Sequence, residues 1–160
     1  MIEKGRGEGW VIIQVMVLIG IFVVPWGRLG SWAILPLGDF LRDMSVLLGG
    51  ISFAAGVGMG IAAYTRLGRS FTVFPAPKTD GEFRADGVYG VVRHPMYAGV
   101  ILLAFGWSIL ILSLPSLVLT IGLGFFFDQK ASFEEERLKE RYAEYAAYQK
   151  RVKKMIPFIY

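Results

Sequence analysis

The fold is indicated first by an uncharged stretch, MSVLLGGISFAAGVGMGIAAY, which runs from Met44 to Tyr64. At about 1.5 Å per residue, a helix of about 21 residues is long enough to cross the hydrocarbon core of a bilayer. Ser52, Gly56 and Gly60 recur every four residues on one face of this helix. Small side chains at that spacing let a second helix approach closely. We therefore predict a membrane-spanning helix that packs along this stripe.

Three further apolar runs predict additional spans. Residues 10–26 hold no charge and have Trp at both ends, which is typical of a helix anchored at two membrane interfaces. A cleaved signal peptide is the alternative, but an Ala-x-Ala type site is missing from the end of this run. Residues 95–112 predict a third span and 116–130 a fourth. Because the apolar part of the fourth run is too short to cross about 30 Å, either its helix continues past the membrane surface or the hairpin is shallow.

The composition supports a membrane protein and excludes several kinds of site. Hydrophobic residues make up 54% of the 160 residues, charged residues only 19%, and the mean hydropathy is +0.51. The absence of cysteine excludes disulfides and thiol nucleophiles, and the single histidine excludes a site that needs two imidazoles. The net charge of +4 comes from basic residues that flank apolar runs, which favours contact with lipid headgroups over nucleic acid. We expect one integral membrane domain.

Lys and Arg are concentrated in alternate connecting segments, which predicts the orientation. Two precede the first run, five lie in 66–93 and eight follow Phe127, which makes 15, whereas two lie in 27–43 and none in the turn at Pro115. By the positive-inside rule, both termini face the cytoplasm. From Ser132 onward, apolar residues at helical spacing alternate with charges. The prediction is an all-α, multi-pass protein with about four transmembrane helices and a cytoplasmic C-terminal amphipathic helix.

Two polar segments contain the residues best suited to chemistry. The first is GVYGVVRHPMYAG, from Gly87 to Gly99, and the second begins with EEERL at Glu134. A proline suits the first helical turn and biases the residue before it away from helical angles. Pro95 therefore predicts that Arg93 and His94 are held at a helix entrance near the headgroup level. Taken alone, such an arginine is most often a headgroup anchor and such a histidine a hydrogen-bonded interfacial residue.

The order of these motifs resembles a known family. The chain reads G-x-Y-x-x-x-R-H-P-x-Y-x-G, then an apolar hairpin, then E-E-x-x-L, Y-x-x-Y-x-x-R-V and I-P, between Gly87 and Pro157. This pattern resembles the isoprenylcysteine carboxyl methyltransferases and the related phospholipid methyltransferases. The resemblance implies an integral membrane enzyme that takes S-adenosylmethionine into a cytoplasmic pocket, here built from 66–97 and 130–157, and receives a lipid acceptor from the bilayer.

The resemblance also implies which residues bind the cofactor. They are Gly87 and Tyr89 in the approaching loop, His94, Pro95, Met96 and Tyr97 along the cofactor, Glu134 at its amino-acid end, and Arg151. Glu135 is the alternate for Glu134 if the register differs by one residue. Independently of the family, S-adenosylmethionine calls for a cation, an anion and an aromatic enclosure, and these segments supply all three.

Arg93 and Lys130 are the candidates for orienting the carboxylate or phosphate of an acceptor. A carboxylate acceptor needs no base, whereas an amine must lose a proton, for which Glu135 or His94 is the candidate. We therefore assign catalytic roles to Arg93 and Glu135 as an expectation. No metal is required.

The sequence does not identify the acceptor of the methyl group. Prenylcysteine enzymes tend to have arginines just before the acidic run, where this chain has Asp128, Gln129 and Lys130. A prenylcysteine carboxylate, an ethanolamine headgroup and a small hydrophobic thiol or acid all remain candidates. Two other classes compete: a sterol-reductase-like enzyme that binds a reduced nicotinamide dinucleotide, and a non-catalytic membrane scaffold.

Overall fold

The computed structural model describes residues 7–23, 39–70, 72, 74 and 83–160. Its elements, in chain order, are helices α1 (Glu8–Phe22) and α2 (Asp39–Leu67), the 3-10 helices Gly68–Ser70 and Gly87–Gly90, and helices α3 (Pro95–Leu110), α4 (Leu114–Arg141) and α5 (Tyr145–Arg151). The predicted all-α class is confirmed over these residues. The end of the predicted first span, 24–26, lies outside them.

The helix boundaries follow local chemistry. Helix α3 begins at Pro95, as predicted, with His94 at its N-cap position. The turn that follows α3 includes Leu112 at a φ of 49°, and Ser113 then caps α4 by accepting a hydrogen bond from the Ser116 amide. Helix α2 is described from Asp39, five residues before the predicted Met44.

The sequence left two alternatives for the fourth run, a helix that continues past the membrane surface or a shallow hairpin. The structure shows the continued helix, α4. It continues as one helix of 28 residues from Leu114 to Arg141. The stretch between Phe127 and Arg141 contains neither proline nor glycine, so nothing in it ends the helix. The charged residues from Asp128 onward therefore extend past the apolar half, and the C-terminal amphipathic helix is a continuation of the fourth run.

One helix among the described residues has the length and composition to cross a membrane. It is α2 together with the following 3-10 helix, Asp39–Ser70. Helices Glu8–Phe22 and Pro95–Leu110 are apolar but shorter. The structure thus supports a helical membrane protein with one clear span, and the other three spans stay predictions.

The small-residue stripe of α2 packs directly on α3. A Cβ built on Gly56 would lie 2.5 Å from the Leu103 amide nitrogen, so only glycine permits this approach. Four residues earlier, the Ser52 hydroxyl donates a hydrogen bond of 2.9 Å to the Leu102 carbonyl. The predicted close approach of a second helix is confirmed, and the partner is α3.

Helix α1 packs against the hairpin of α3 and α4. The Ile21 carbonyl near the end of α1 accepts hydrogen bonds from the Trp107 indole at 3.2 Å and the Ser116 hydroxyl at 3.4 Å. Ile21, Leu123 and Phe127 are fully buried in the core that these helices share. Phe127 also forms one wall of the cavity described below, so this packing positions the site.

The segment after α5 returns to the entrance of α3. Val92 and Lys153 form a parallel β-bridge, the Arg93 amide donates to the Lys153 carbonyl at 2.8 Å, and the His94 amide donates to the Lys154 carbonyl at 2.9 Å. The two polar segments of the sequence therefore lie together, as predicted.

Candidate active site

Glu135 connects the entrance of α3 to helices α4 and α5. Its carboxylate accepts hydrogen bonds from Arg93 Nε at 2.8 Å, Arg93 Nη2 at 3.4 Å and Gln149 Nε2 at 2.7 Å. His94 Nε2 lies 2.9 Å from the same carboxylate, which can only accept, so this ring nitrogen carries the proton. The side chains of Arg93, His94 and Glu135 are only 10%, 6% and 5% exposed.

The surroundings of Glu135 keep it ionised. Burial by itself would raise the pKa of its carboxyl, but hydrogen bonds and charge from His94 and Arg93 lower that pKa from the ordinary 4.5 to about 2. Arg93 Nη1 also donates to the backbone carbonyls of Gln149, at 3.1 Å, and Val152. Four hydrogen bonds thus direct the Arg93 guanidinium toward the protein, where it fixes the loop geometry.

Glu134 lies on the opposite side of His94, beside a stack of rings. The Tyr97 hydroxyl donates to Glu134 Oε2 at 2.8 Å, and His94 Nδ1 lies 3.9 Å from the same oxygen. The Tyr97 ring stacks on His94 at a centroid distance of 5.4 Å and on Phe127 at 4.6 Å. A carboxylate beside aromatic faces is suited to a cationic ligand.

A cavity of about 180 Å³, partly open to solvent, lies against this stack. Its walls come from α1, the end of α2 with the following 3-10 helix, α3, α4, α5 and the loop before α3. The lining includes Gln14, Phe83, Arg84, Tyr89, Arg93, His94, Pro95, Met96, Tyr97, Val100, Phe127, Lys130, Glu134, Tyr142, Tyr145 and Tyr148. Apolar and aromatic walls with a few converging polar groups are typical of a small-molecule site.

Lys130 supplies a buried cation at the end of this cavity nearest α1. The residue is only 1% exposed, its ammonium donates to Gln14 Oε1 at 2.6 Å, and the same ammonium lies 5.4 Å from the centroid of the Tyr97 ring. Tyr97 contacts the carboxylate of Glu134 through its hydroxyl and the ammonium of Lys130 through its ring face. The cavity therefore holds both an anion and a cation, with an aromatic ring beside each.

Tyrosines form the other end of the cavity. Burial raises the pKa of the Tyr89 and Tyr145 hydroxyls well above their usual range, and the nearby charge of Glu134 raises them further. The Tyr148 hydroxyl donates to the Tyr89 carbonyl at 2.6 Å, and the Phe83 ring lies 5.2 Å from that of Tyr148. These phenols stay neutral at physiological pH and present ring faces together with hydrogen-bond donors.

The arrangement matches a known family by sequence as well. A profile of the phospholipid methyltransferase family matches residues 44–145, more than half of the chain. The chain belongs to this family. The predicted resemblance is confirmed and extended, because the match begins in α2 rather than at Gly87. The family comprises integral membrane methyltransferases that include the isoprenylcysteine enzymes.

Three relatives illustrate the family. The protein-S-isoprenylcysteine O-methyltransferase of Schizosaccharomyces pombe is 33% identical over 102 residues, which are 61% of this chain and 43% of that protein. The methanethiol S-methyltransferase of Pseudomonas deceptionensis is 37% identical over 84 residues, 52% of this chain and 31% of that protein. The isoprenylcysteine O-methyltransferase B of Arabidopsis thaliana is 27% identical over 58% of this chain and 49% of its own. The chain spans about half the length of the curated relatives it matches.

The fold is similar to that of a solved family member. The structure of a eukaryotic intramembrane Ras methyltransferase, isoprenylcysteine carboxyl methyltransferase, superposes with a TM-score of 0.62 at 21% sequence identity. The similarity covers 98% of this chain and 55% of that one. The helical arrangement of this chain is therefore similar to that of the solved methyltransferase.

Most residues that the sequence predicted for the site lie together. Eight of them line the cavity: Tyr89, Arg93, His94, Pro95, Met96, Tyr97, Lys130 and Glu134. Glu135 lies outside that lining and contacts Arg93 and His94 from behind. Arg151 is exposed at the end of α5 and does not line the cavity. Gly87 is exposed at a φ of 57° beside the Arg66 side chain, where it shapes the loop.

Gln14 and Gln149 are two of the residues at the site that were not predicted from the sequence, as are Phe83, Phe127 and Tyr145 of the cavity lining. Gln14 carried a usable signal, because it is a lone amide within an otherwise uncharged run, and polar residues at membrane depth are commonly functional. Gln149 gave no such signal in the sequence, since it lies among the other polar residues of α5. Its role depends on its hydrogen bond to Glu135 of α4, which only the folded structure shows.

Proposed function

We propose that this chain is an S-adenosylmethionine-dependent methyltransferase of a lipid or lipid-like acceptor, with its site at the cytoplasmic face of the membrane. One observation carries the proposal: a single cavity holds the carboxylate of Glu134, the ring stack around Tyr97 and the buried ammonium of Lys130. Membership of the phospholipid methyltransferase family supports methyl transfer as the reaction.

The residues of the cavity fit the cofactor. Glu134 is an anion for the ammonium of its amino-acid end, and the aromatic rings of His94 and Tyr97 in the cavity lining suit a positively charged sulfur nearby. Tyr89 and Tyr145 offer rings to the nucleoside. When bound, S-adenosylmethionine supplies an electrophilic methyl group that an anionic acceptor can take by in-line displacement.

The chain's own contribution to this reaction is alignment and the exclusion of water. Well-oriented reactants can gain about 7–11 kcal/mol relative to free encounter. Arg93 and Glu135 serve as positioning residues, because their hydrogen bonds hold His94 and the entrance of α3 against the C-terminal segment. The pKa of Glu135, about 2, makes its carboxylate a weak base at neutral pH.

Lys130 supports an anionic acceptor over an ethanolamine headgroup. A buried ammonium in the cavity wall would attract a carboxylate or thiolate and repel a second ammonium. The relatives include enzymes named for isoprenylcysteine and for methanethiol, which present such groups. A prenylcysteine carboxylate is therefore our first candidate, and a hydrophobic thiol the second.

The test uses purified protein in lipid nanodiscs with methyl-labelled S-adenosylmethionine. The acceptors are a membrane lipid extract, a prenylated cysteine, a phosphatidylethanolamine and a long-chain thiol. We expect label in the carboxylate or thiol acceptor. Glu134→Gln should lower kcat/KM about 10- to 100-fold, because a charge-assisted hydrogen bond contributes about 1.5–3 kcal/mol.

Glu136→Gln is the matched control. Glu136 belongs to the same acidic run, is mostly exposed and pairs with Lys139 at 2.9 Å, so its substitution should leave methylation unchanged. Tight binding of a reduced nicotinamide dinucleotide without binding of S-adenosylmethionine would overturn the proposal in favour of a reductase. Binding of neither cofactor would favour a scaffold.

A further inference from the structure

Residues 153–160 form a closed turn that the proposed reaction does not use. The amides of Met155 and Ile156 donate to the Tyr160 carbonyl at 2.9 and 2.7 Å, and the amides of Ile159 and Tyr160 donate to the Ile156 carbonyl at 3.2 and 3.1 Å. We call this element the 153–160 turn. Its backbone hydrogen bonds hold it in one shape.

The tip of the 153–160 turn displays apolar side chains to the outside. Phe158 is 91% exposed and Ile159 is 74% exposed, with Ile156 half exposed beside them. Phe158 also has a φ of 64°, in the left-handed region that a bulky residue rarely adopts. An exposed aromatic held in a strained conformation points to a function outside the protein core.

Contacts with α4 locate the turn at the border of the apolar part of the protein. The Tyr160 hydroxyl donates to Asp128 Oδ1 at 2.8 Å, and Lys154 donates to the Asp128 carboxylate and, at 2.9 Å, to its carbonyl. Asp128 directly follows the uncharged stretch 114–127 of α4. The turn therefore lies at the level where α4 passes from apolar to charged sequence, which is the level of lipid headgroups.

Basic side chains surround the apolar tip. Lys150, Arg151 and Lys153 are exposed and immediately precede it. Apolar residues flanked by exposed lysine and arginine are the combination that binds anionic membrane surfaces.

We propose that the 153–160 turn is a membrane-docking element that inserts Phe158 and Ile159 into the interface and binds anionic lipid headgroups through Lys150 and Lys153. The partner of this docking element is the lipid headgroup layer of the membrane leaflet beside the proposed site. The turn begins with Lys153 and Lys154, whose carbonyls accept hydrogen bonds from the amides of Arg93 and His94. Docking thereby holds the backbone that positions the proposed site.

The test exploits the absence of cysteine from the chain. Phe158→Cys is labelled with an environment-sensitive fluorophore in nanodiscs that contain anionic lipid, and quenching is measured with iodide and with quencher-bearing lipid. Ala143→Cys is the control, because Ala143 is exposed just beyond the far end of α4, about 20 Å along the helix axis from Asp128. We expect iodide quenching at Phe158 to be at least fivefold weaker than at Ala143, with strong quenching by lipid.

The contribution of the basic side chains to docking is tested with the double variant Lys150→Gln/Lys153→Gln, made in the labelled Phe158→Cys protein. We expect iodide protection of Phe158 to be greater in anionic than in purely zwitterionic nanodiscs, and this difference to vanish in the double variant. Equal iodide quenching at Phe158 and Ala143 would overturn the proposal. Protection from both quenchers would also overturn it, since that result means a protein partner such as a second copy. Neither readout depends on methyl transfer.

Discussion

Glu134 and Glu135 are neighbours in the sequence, yet their carboxylates have different surroundings. Consecutive residues of a helix point about 100° apart, so Glu134 faces the cavity while Glu135 faces the loop and α5. The Tyr97 hydroxyl contacts the first, and Arg93 and His94 contact the second. One acidic run therefore supplies one carboxylate that lines the cavity and one that contacts the loop and α5.

Glu135→Gln is expected to reduce stability in a pH-dependent way. The pKa of the Glu135 carboxyl is about 2 in the folded protein against an ordinary 4.5, so its ionised form stabilises the folded state above pH 4.5. That stabilisation is lost as the pH falls from about 4.5 to about 2. The unfolding temperature of Glu135→Gln should lie below that of the wild type at pH 7, and the gap should narrow as the pH approaches 2.

Glu136→Gln serves as the control for acid stability too, because its pair with Lys139 is on the surface. Its unfolding temperature should follow the wild type across the same pH range. A constant gap between the wild type and Glu135→Gln from pH 7 down to pH 2 would contradict the assignment of a low pKa to Glu135.

Lys130→Gln is expected to weaken acceptor binding. Loss of a charge-assisted contact of about 1.5–3 kcal/mol should raise the KM for an anionic acceptor about 10- to 100-fold, with a smaller effect on the KM for S-adenosylmethionine. Steady-state kinetics with each substrate varied in turn would measure both. Lys139→Gln is the control, since Lys139 lies near Glu136 on the surface. An equal loss for both substrates would argue that Lys130 is only structural.

At the scale of elements, α2 and α3 are joined through small residues rather than through large apolar side chains. Glycines at the interface of α2 and α3 allow backbone-to-backbone approach, as a Cβ built on Gly106 would lie 2.4 Å from the Phe53 amide nitrogen. In a membrane, packing of this kind replaces the hydrophobic effect as the force between helices. Large apolar residues of α2, such as Ile51 and Ile61, are instead exposed on the outer face.

Gly56→Ala should destabilise this interface, whereas Gly58→Ala should not. A methyl group at Gly56 would meet Leu103 and Gly99 backbone atoms at 2.5 and 2.7 Å, while nothing lies within 4 Å at Gly58. Overpacking of this kind costs about 1–3 kcal/mol. Thermal unfolding in the same detergent would measure both variants. Equal unfolding temperatures would contradict the packing described for Gly56.

Element boundaries could be predicted where a residue acts locally. Pro95 predicted the beginning of α3 because proline restricts its own φ and the residue before it. The length of α4 was left open between a continued helix and a shallow hairpin, since the apolar pattern ends at Phe127 while the helix runs to Arg141. Its charged half is helical because it packs against the loop before α3 and α5, through contacts such as those of Glu135 with Arg93 and Gln149.

At the scale of the whole molecule, the proposed site depends on segments that are far apart in the chain. Arg93 reaches Glu135, Gln149 and Val152, which come 42, 56 and 59 residues later. These contacts connect the beginning of α3 to α4, α5 and the segment after it. The geometry of the cavity wall therefore requires the complete fold.

Arg93→Lys should loosen this connection without unfolding the bundle. Lysine keeps the charge but cannot make the four guanidinium hydrogen bonds. Hydrogen exchange at the backbone amide of His94 and at the amides of α5 should accelerate about tenfold or more, while amides of α2 stay protected. Arg66→Lys is the control, because Arg66 pairs with Asp86 on the surface. Unchanged exchange in Arg93→Lys would contradict the connecting role.

The two segments that contribute to the candidate site could be predicted from the sequence, because motif order and residue chemistry are local properties. The segments at His94 and Glu134 indicated the family, and both line the cavity. The contact between Lys130 and Gln14 was not predictable, because these residues are 116 positions apart and belong to helices whose pairing no local pattern specifies.

By itself, the sequence determined a helical membrane protein, the residue at which α3 begins and the two segments from which the site is built, because apolar run length, proline geometry and motif order act over a few residues. Only the tertiary structure decided that Glu135 contacts Arg93 while Glu134 faces the cavity, that Gln14 contacts Lys130, and that the 153–160 turn lies beside Asp128. Each of those outcomes depends on the rotation and depth of one packed helix relative to another, and these are set by side chains that meet only after the chain has folded.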